Sequence, residues 1–150
     1  MSSERLILFV CTGNTCRSPM AAAIFNKLNN QPDWRAVSGG LSALNGEKAS
    51  EYAVKALETN FNLDISSHRS RSVSGDYLRR SELVLTMTHM QKDFLLRQWP
   101  DLADRIMTIG EMAGEPTVQV QDPFGQSLVF YRAIAATLAG LIEKIISKLD

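Results

Sequence analysis

Leu6 to Val10 is an unbroken apolar run of leucine, isoleucine, phenylalanine and valine that stops at Cys11. A run without polar alternation is the pattern of a strand buried on both faces of a parallel sheet. A Gly/Asn/Thr loop follows, then Ser18 and Pro19, then apolar residues spaced for a helix from Met20 to Leu28. Proline in an opening turn is a helix start signal. Trp34 to Val37, broken by Arg35, reads as a weaker second strand running into Ser38-Gly39-Gly40. The spacing predicts a helix over Glu47 to Phe61, with Ala49, Ala53, Ala56, Leu57 and Phe61 on one face. Leu83 to Met87 is the third strand, and Thr88 with Gln91 three residues on has the spacing of a capping box that opens a helix carrying Phe94, Leu95 and Trp99. Arg105 to Ile109 is a shorter fourth strand. In the tail, Ile134, Leu138, Leu141, Ile142, Ile145, Ile146 and Leu149 form a stripe at helical period, with Glu143, Lys144 and Lys148 opposite. The polar, serine- and arginine-rich stretch from Asn60 to Tyr77 reads either as a mobile loop bordering the site or as a solvated connection, and the second is favoured.

Strands that alternate with helices, with no internal repeat, predict an α/β fold with a parallel sheet covered on both faces. Ligands in such sheets collect beyond the carboxyl ends of the strands, which puts Cys11 where a site belongs. The chain has 150 residues, the size of a single domain spanning 1–150 that buries roughly 68 to 70 per cent of its unfolded surface without crosslinks. Sixteen basic and sixteen acidic side chains cancel, so the long-range field that holds nucleic acid or an anionic membrane is missing. The longest weakly polar run, Ala133 to Ile142, falls far short of the roughly 20 residues that cross a bilayer. Two cysteines, Cys11 and Cys16, are too few for a disulfide-stapled secreted domain, and the N-terminal segment lacks a signal-peptide pattern. A reduced, cytoplasmic setting is expected.

The chemistry concentrates in Cys11-Thr12-Gly13-Asn14-Thr15-Cys16-Arg17-Ser18-Pro19, between the first strand and its helix. A loop of small residues curls its N–H groups around an anion, and the following helix aims the positive end of its dipole at the same point. Arg17 adds a bidentate pair of charge-assisted hydrogen bonds to phosphoryl oxygens, and the same field favours the thiolate of Cys11. A lone cysteine at a strand end is ordinarily a small buried hydrophobe; its placement between a buried strand and a proline-opened helix is what favours a nucleophile. No Gly-Lys-Ser or Gly-Lys-Thr follows the glycine, which disfavours a nucleotide-binding loop. Two cysteines five apart, with only His68 and His89 elsewhere, give no zinc spacing. Aspartate before proline, as at Asp122-Pro123, is a common helix N-cap with proline at the first helical position.

The loop, together with Asp122-Pro123-Phe124 before the last helix, resembles the low-molecular-weight protein tyrosine phosphatases over nearly the whole chain. The resemblance implies a three-layer sandwich with a four-stranded parallel sheet in the order 2-1-3-4, a cysteinyl-phosphate intermediate, phosphorylated proteins as substrates, and no metal or organic cofactor. It assigns Cys11 as nucleophile, Arg17 as phosphate clamp and Asp122 as general acid and then base. Thr12, Gly13, Asn14, Thr15, Cys16, Ser18 and Phe124 fall at substrate-binding positions. Asn14, Ser18, Ser42 and His68 match a hydrogen-bonded support behind the loop, where Ser18 donates to the sulfur. Ala22 stands where the family commonly has glutamate. A monomer is expected, and the five-residue separation of Cys11 and Cys16 permits a reversible disulfide.

Tyrosine-directed members usually carry an aliphatic residue at the position of Thr15 and an aromatic wall near Leu44 and Asn45. This chain has threonine and no ring there, which removes a stacking contact for a phenyl phosphate and offers a hydroxyl to a polar substrate. The loop, Met87-Thr88-His89 and Asp122-Pro123-Phe124-Gly125 are similar to the protein arginine phosphatases, so phosphoarginine is favoured, with phosphotyrosine as the alternative. Arsenate reduction through an internal thiol relay needs a third cysteine; a reductase drawing on an external thiol is a further alternative. A non-catalytic phosphate-binding module has no use for the thiol.

Overall fold

The computed structural model describes residues 4–149. Its four strands, β1 (Arg5–Cys11), β2 (Trp34–Gly40), β3 (Leu83–Thr86) and β4 (Ile106–Thr108), form one sheet in the order β2-β1-β3-β4. All three pairings are parallel, with Cys11 opposite Gly40 at the end of the β1–β2 ladder. The fold class is the α/β three-layer arrangement expected from the sequence.

Strand alternation explains the layers. Ile7, Phe9 and Cys11 face a core shared with α1 (Arg17–Leu28), α2 (Glu51–Phe61) and α6 (Leu128–Lys148). Leu8 and Val10 point the other way, to Tyr77 and Leu78 of α3 (Gly75–Arg80), Leu95 of α4 (His89–Gln98) and Leu102 in the 3-10 turn Pro100–Arg105. Both faces of β1 are therefore dry, which is why it reads as a continuous apolar run. The chain leaves β1 toward β2 on one side and reaches β3 on the other, so the crevice beyond Cys11 is the point where strand order reverses.

Most boundaries match the sequence reading, and the shifts have local causes. The second helix starts at Glu51 rather than Glu47, because Lys48 bridges antiparallel to Arg69 and the Ser50 N–H bonds to the Thr15 carbonyl. The fourth strand ends at Thr108, whose hydroxyl accepts from Glu111 N in the capping box of the one-turn α5 (Ile109–Met112). Thr88 and Gln91 form the expected capping box of α4, with Trp99 as its C-cap residue. Among the described residues no helix is long and apolar enough to cross a membrane.

Candidate active site

The loop from Cys11 to Arg17 turns on Asn14, a non-glycine residue at φ 59. Left-handed backbone is costly for most side chains but tolerated by asparagine, and here the side chain is tied on every side. Its Nδ2 donates to Ser18 Oγ at 2.8 Å and to Ser38 Oγ at 3.0 Å, while its Oδ1 accepts from Arg71 N at 2.9 Å. His68 Nε2 lies 2.8 Å from the Asn14 carbonyl. A carbonyl only accepts, so Nε2 carries the proton. Gly40 closes the arrangement by close approach: a Cβ there would sit 2.7 Å from the Thr12 carbonyl.

Asn14, Ser18 and His68 thus lie behind the loop as the sequence reading has it, but Ser42 does not. Ser42 is exposed and gives the loop only its backbone N–H, which donates to the Thr12 carbonyl at 2.9 Å. Its place is taken by Ser38, four residues earlier on β2, because the strand continues to Gly40 and carries Ser38 under the loop. The stretch between Asn60 and Tyr77 is likewise more than a solvated connection, since it supplies His68 and the Arg71 N–H.

Cys11 is 2 % exposed at the floor of a cavity of about 240 Å³ lined by Thr12, Gly13, Thr15, Cys16, Arg17, Asp122 and Phe124. Its sulfur lies 2.9 Å from Ser18 Oγ and accepts from Asn14 N at 3.3 Å. Both cysteines carry free thiols. Cys16 is bonded elsewhere, donating to Ser50 Oγ at 3.3 Å with Tyr131 Oη at 3.5 Å. Burial pushes the Tyr131 phenol up to about 12, so it stays protonated through the neutral range.

Arg17 is buried beside the cavity. One Nη donates to the Val120 carbonyl at 2.9 Å, and among the described residues Nε has no partner. A buried guanidinium N–H without an acceptor at the wall of a cavity is a donor waiting for an anion. Val120 also donates its N–H to the Met87 carbonyl at 3.0 Å, so one residue ties the distant 115–127 segment to the end of β3 and to Arg17. That tie brings Asp122 over the cavity, with Oδ2 3.8 Å from Arg17 Nη2. The N-cap reading of Asp122 is corrected here. Ser127 caps α6, accepting from Phe130 N, and Asp122 Oδ1 instead accepts from Phe124 N at 3.0 Å in a local turn. Pro123 lies before the helix, and the turn leaves the second carboxylate oxygen facing the arginine.

Gln91 also reaches the loop. Its Oε1 accepts from Met87 N and Thr88 N, which fixes the amide orientation and leaves Nε2 to donate to Thr12 Oγ1 at 3.2 Å. The capping box marks Gln91 in the sequence, but nothing there marks its second bond. Ala22 lies away from the sulfur, in a separate hollow behind the loop with His68 and Arg71.

Sequence comparison matches residues 6–150 to the low molecular weight phosphotyrosine protein phosphatase family. The chain belongs to this family. It is 36% identical over 145 residues to a protein-arginine-phosphatase of Geobacillus stearothermophilus, covering 96% of this chain and 95% of that one. A low molecular weight protein-tyrosine-phosphatase, PtpB of Staphylococcus haemolyticus, is 37% identical over 139 residues, covering 93% and 96%. Among solved structures, the low molecular weight protein tyrosine phosphatase from T. tengcongensis superimposes with a TM-score of 0.92 at 44% identity, covering 97% of this chain and 100% of that one. The YwlE arginine phosphatase of G. stearothermophilus gives 0.91 at 34% identity, covering 96% and 92%. As a member of the low-molecular-weight phosphatases the chain is a hydrolase of phosphorylated proteins.

His68 offers a check on the support. Burial holds its imidazole below the usual histidine range, against the pull of the Asn14 carbonyl and with Arg69 and Arg71 adding repulsion. A histidine with a depressed native pKa contributes stability that is present above its unfolded value of 6.5 and is lost as pH falls through the native one. The thermal midpoint of the protein should therefore drop between pH 7.5 and pH 5 more steeply than that of His68→Gln. Parallel curves for the two proteins would exclude a neutral, half-buried His68.

Proposed function

We propose that this phosphatase hydrolyses phosphorylated side chains through a phosphocysteine on Cys11, with phosphoarginine preferred to phosphotyrosine. The observation that carries the reading is the convergence of the Cys11 sulfur, the unpartnered Arg17 Nε and the Asp122 carboxyl group on one cavity. The phosphoryl group sits in the loop, where backbone N–H groups and Arg17 take up the negative charge of its oxygens. The Cys11 thiolate attacks phosphorus, the bond from phosphorus to the leaving nitrogen or oxygen breaks, and Asp122 gives that atom its proton. Water then attacks the phosphocysteine, Asp122 takes its proton, and phosphate departs as sulfur regains the Ser18 hydrogen bond. The proposed setting is cytoplasmic, with a monomer and no cofactor.

Two features support phosphoarginine. Thr15 lines the cavity where an aliphatic residue would suit an aryl group, and among the described residues Phe124 is the one aromatic residue lining it. Leu44, at the position of the aromatic wall, is 70% exposed. Departing guanidine is strongly basic and takes the Asp122 proton readily. Side-by-side kcat/KM values on phosphoarginine and phosphotyrosine peptides test this. The wild type should prefer phosphoarginine, and Thr15→Ile should move the ratio toward phosphotyrosine by about tenfold or more, as loss of a hydrogen-bonding wall does. An unchanged ratio would refute the role of Thr15.

A further inference from the structure

A second hollow, of about 350 Å³, adjoins the candidate active site and is lined by Ser50, Glu51, Tyr52, Phe124, Gly125, Gln126 and Tyr131. Phe124 lines both cavities, so they meet at this residue, which is 76% exposed. Tyr52 and Tyr131 pack edge to face with centroids 5.7 Å apart, one ring partly open and the other buried. Two polar groups of this wall have partners in the protein interior: Tyr131 Oη and Ser50 Oγ both meet the Cys16 sulfur. The charge at the mouth is matched, since Glu51 pairs with Lys55 at 3.1 Å and Lys55 in turn lies 5.8 Å from the Tyr52 ring centroid. Three aromatic residues with no unmatched charge suit an uncharged, apolar occupant.

Resting on the phosphatase reading above, we propose that this hollow is a subsite for an apolar side chain that flanks the phosphorylated residue of a protein substrate. The occupant follows from continuity. Successive Cα atoms of a polypeptide are about 3.8 Å apart and their side chains diverge in an extended chain. With the phosphorylated side chain in the Cys11 cavity, a neighbour within one or two residues passes Phe124 and meets Tyr52. A free phosphorylated amino acid leaves the hollow empty. The subsite therefore separates protein substrates from small phosphorylated molecules that fit the loop equally well, and ranks protein substrates by their flanking residues.

The test compares kcat/KM of the wild type and Tyr52 variants on three kinds of substrate: p-nitrophenyl phosphate, short phosphorylated peptides with glycine on both flanks, and the same peptides with leucine or lysine on one flank or the other. The phosphorylated residue is whichever the wild type hydrolyses. Leucine on one flank should raise wild-type kcat/KM about tenfold over glycine, the scale of partial burial of one such side chain. Tyr52→Ala should reduce that gain to about twofold or less while its rate on p-nitrophenyl phosphate stays within about twofold of wild type. Tyr52 is the second residue of α2, where an acidic side chain suits the helix dipole, so Tyr52→Glu provides a second variant; it should favour lysine over leucine on that flank. Equal wild-type rates on leucine and glycine peptides, a leucine gain that survives both variants, or loss of p-nitrophenyl phosphate hydrolysis on changing Tyr52 would each overturn the subsite. A wild type inactive on every substrate, the small one included, would refute the phosphatase reading and the subsite with it.

Discussion

Cys11→Ser should abolish turnover while leaving phosphate binding nearly intact. The hydroxyl is a far weaker nucleophile than a thiolate and a poorer leaving group from phosphorus, so both half-reactions suffer. A fall in kcat on the order of 10⁴ or more is expected, the scale seen when a covalent nucleophile is removed. The oxygen is smaller than sulfur and fits between Ser18 Oγ and Asn14 N, 2.9 and 3.3 Å from the native sulfur. The loop N–H groups and the Arg17 guanidinium remain, so calorimetry should find inorganic phosphate binding within a few-fold of wild type. A variant that retains more than about a hundredth of wild-type kcat would exclude Cys11 as the nucleophile. A phosphate-binding module would show no difference at all, because such a module needs anion donors and no thiol.

Asp122→Asn is expected to cost about 10² to 10⁴ in kcat on a substrate with a basic leaving group, the usual contribution of a positioned proton donor. The amide preserves the turn, since its carbonyl oxygen still accepts from Phe124 N, and so isolates the proton from the fold. The size of the loss should depend on the leaving group. A phenolate as stable as p-nitrophenolate departs without help, so formation of the phosphocysteine survives, while its hydrolysis slows for want of a base. Rapid quenching followed by mass spectrometry should then find phosphocysteine accumulating in the variant and not in the wild type. Equal losses on p-nitrophenyl phosphate and phosphoarginine, with no trapped intermediate, would remove Asp122 from the acid and base roles.

Residues whose partners are near in sequence were legible before the fold. The double-sided burial of β1, the start of α1 and the capping box at Thr88 follow from local patterns, and Cys11 and Arg17 lie on one short loop between two such elements. Long-range polar contacts were harder. Ser38 and Ser42 are equally plausible serines in the sequence, and only the extra length of β2 selects Ser38 as the one under Asn14. The polar character of residues 60 to 77 suggests solvent, whereas His68 bonds to the Asn14 carbonyl, the Arg71 N–H donates to Asn14 Oδ1 and Ser70 Oγ accepts from Glu47 N. Tyr131 falls on the buried side of α6, but its bond to Cys16 joins residues 115 apart in sequence. Asp122 is legible as a candidate acid because its motif is distinctive, while its local geometry is not: a cap and a tight turn use the same aspartate oxygen, and the next few residues decide between them.

The left-handed asparagine beneath Cys11 constrains what else that position could hold. Glycine would accept the backbone angle with ease but would leave two serine hydroxyls and the Arg71 amide without their shared neighbour. Aspartate would keep the acceptor and lose both donated hydrogens, setting a negative charge beside the Cys11 sulfur and against the thiolate proposed there. Only a side chain that is neutral, short, and at once donor and acceptor satisfies the geometry and the charge together, so the anion cradle comes ready assembled and a bound phosphoryl group has no loop left to order.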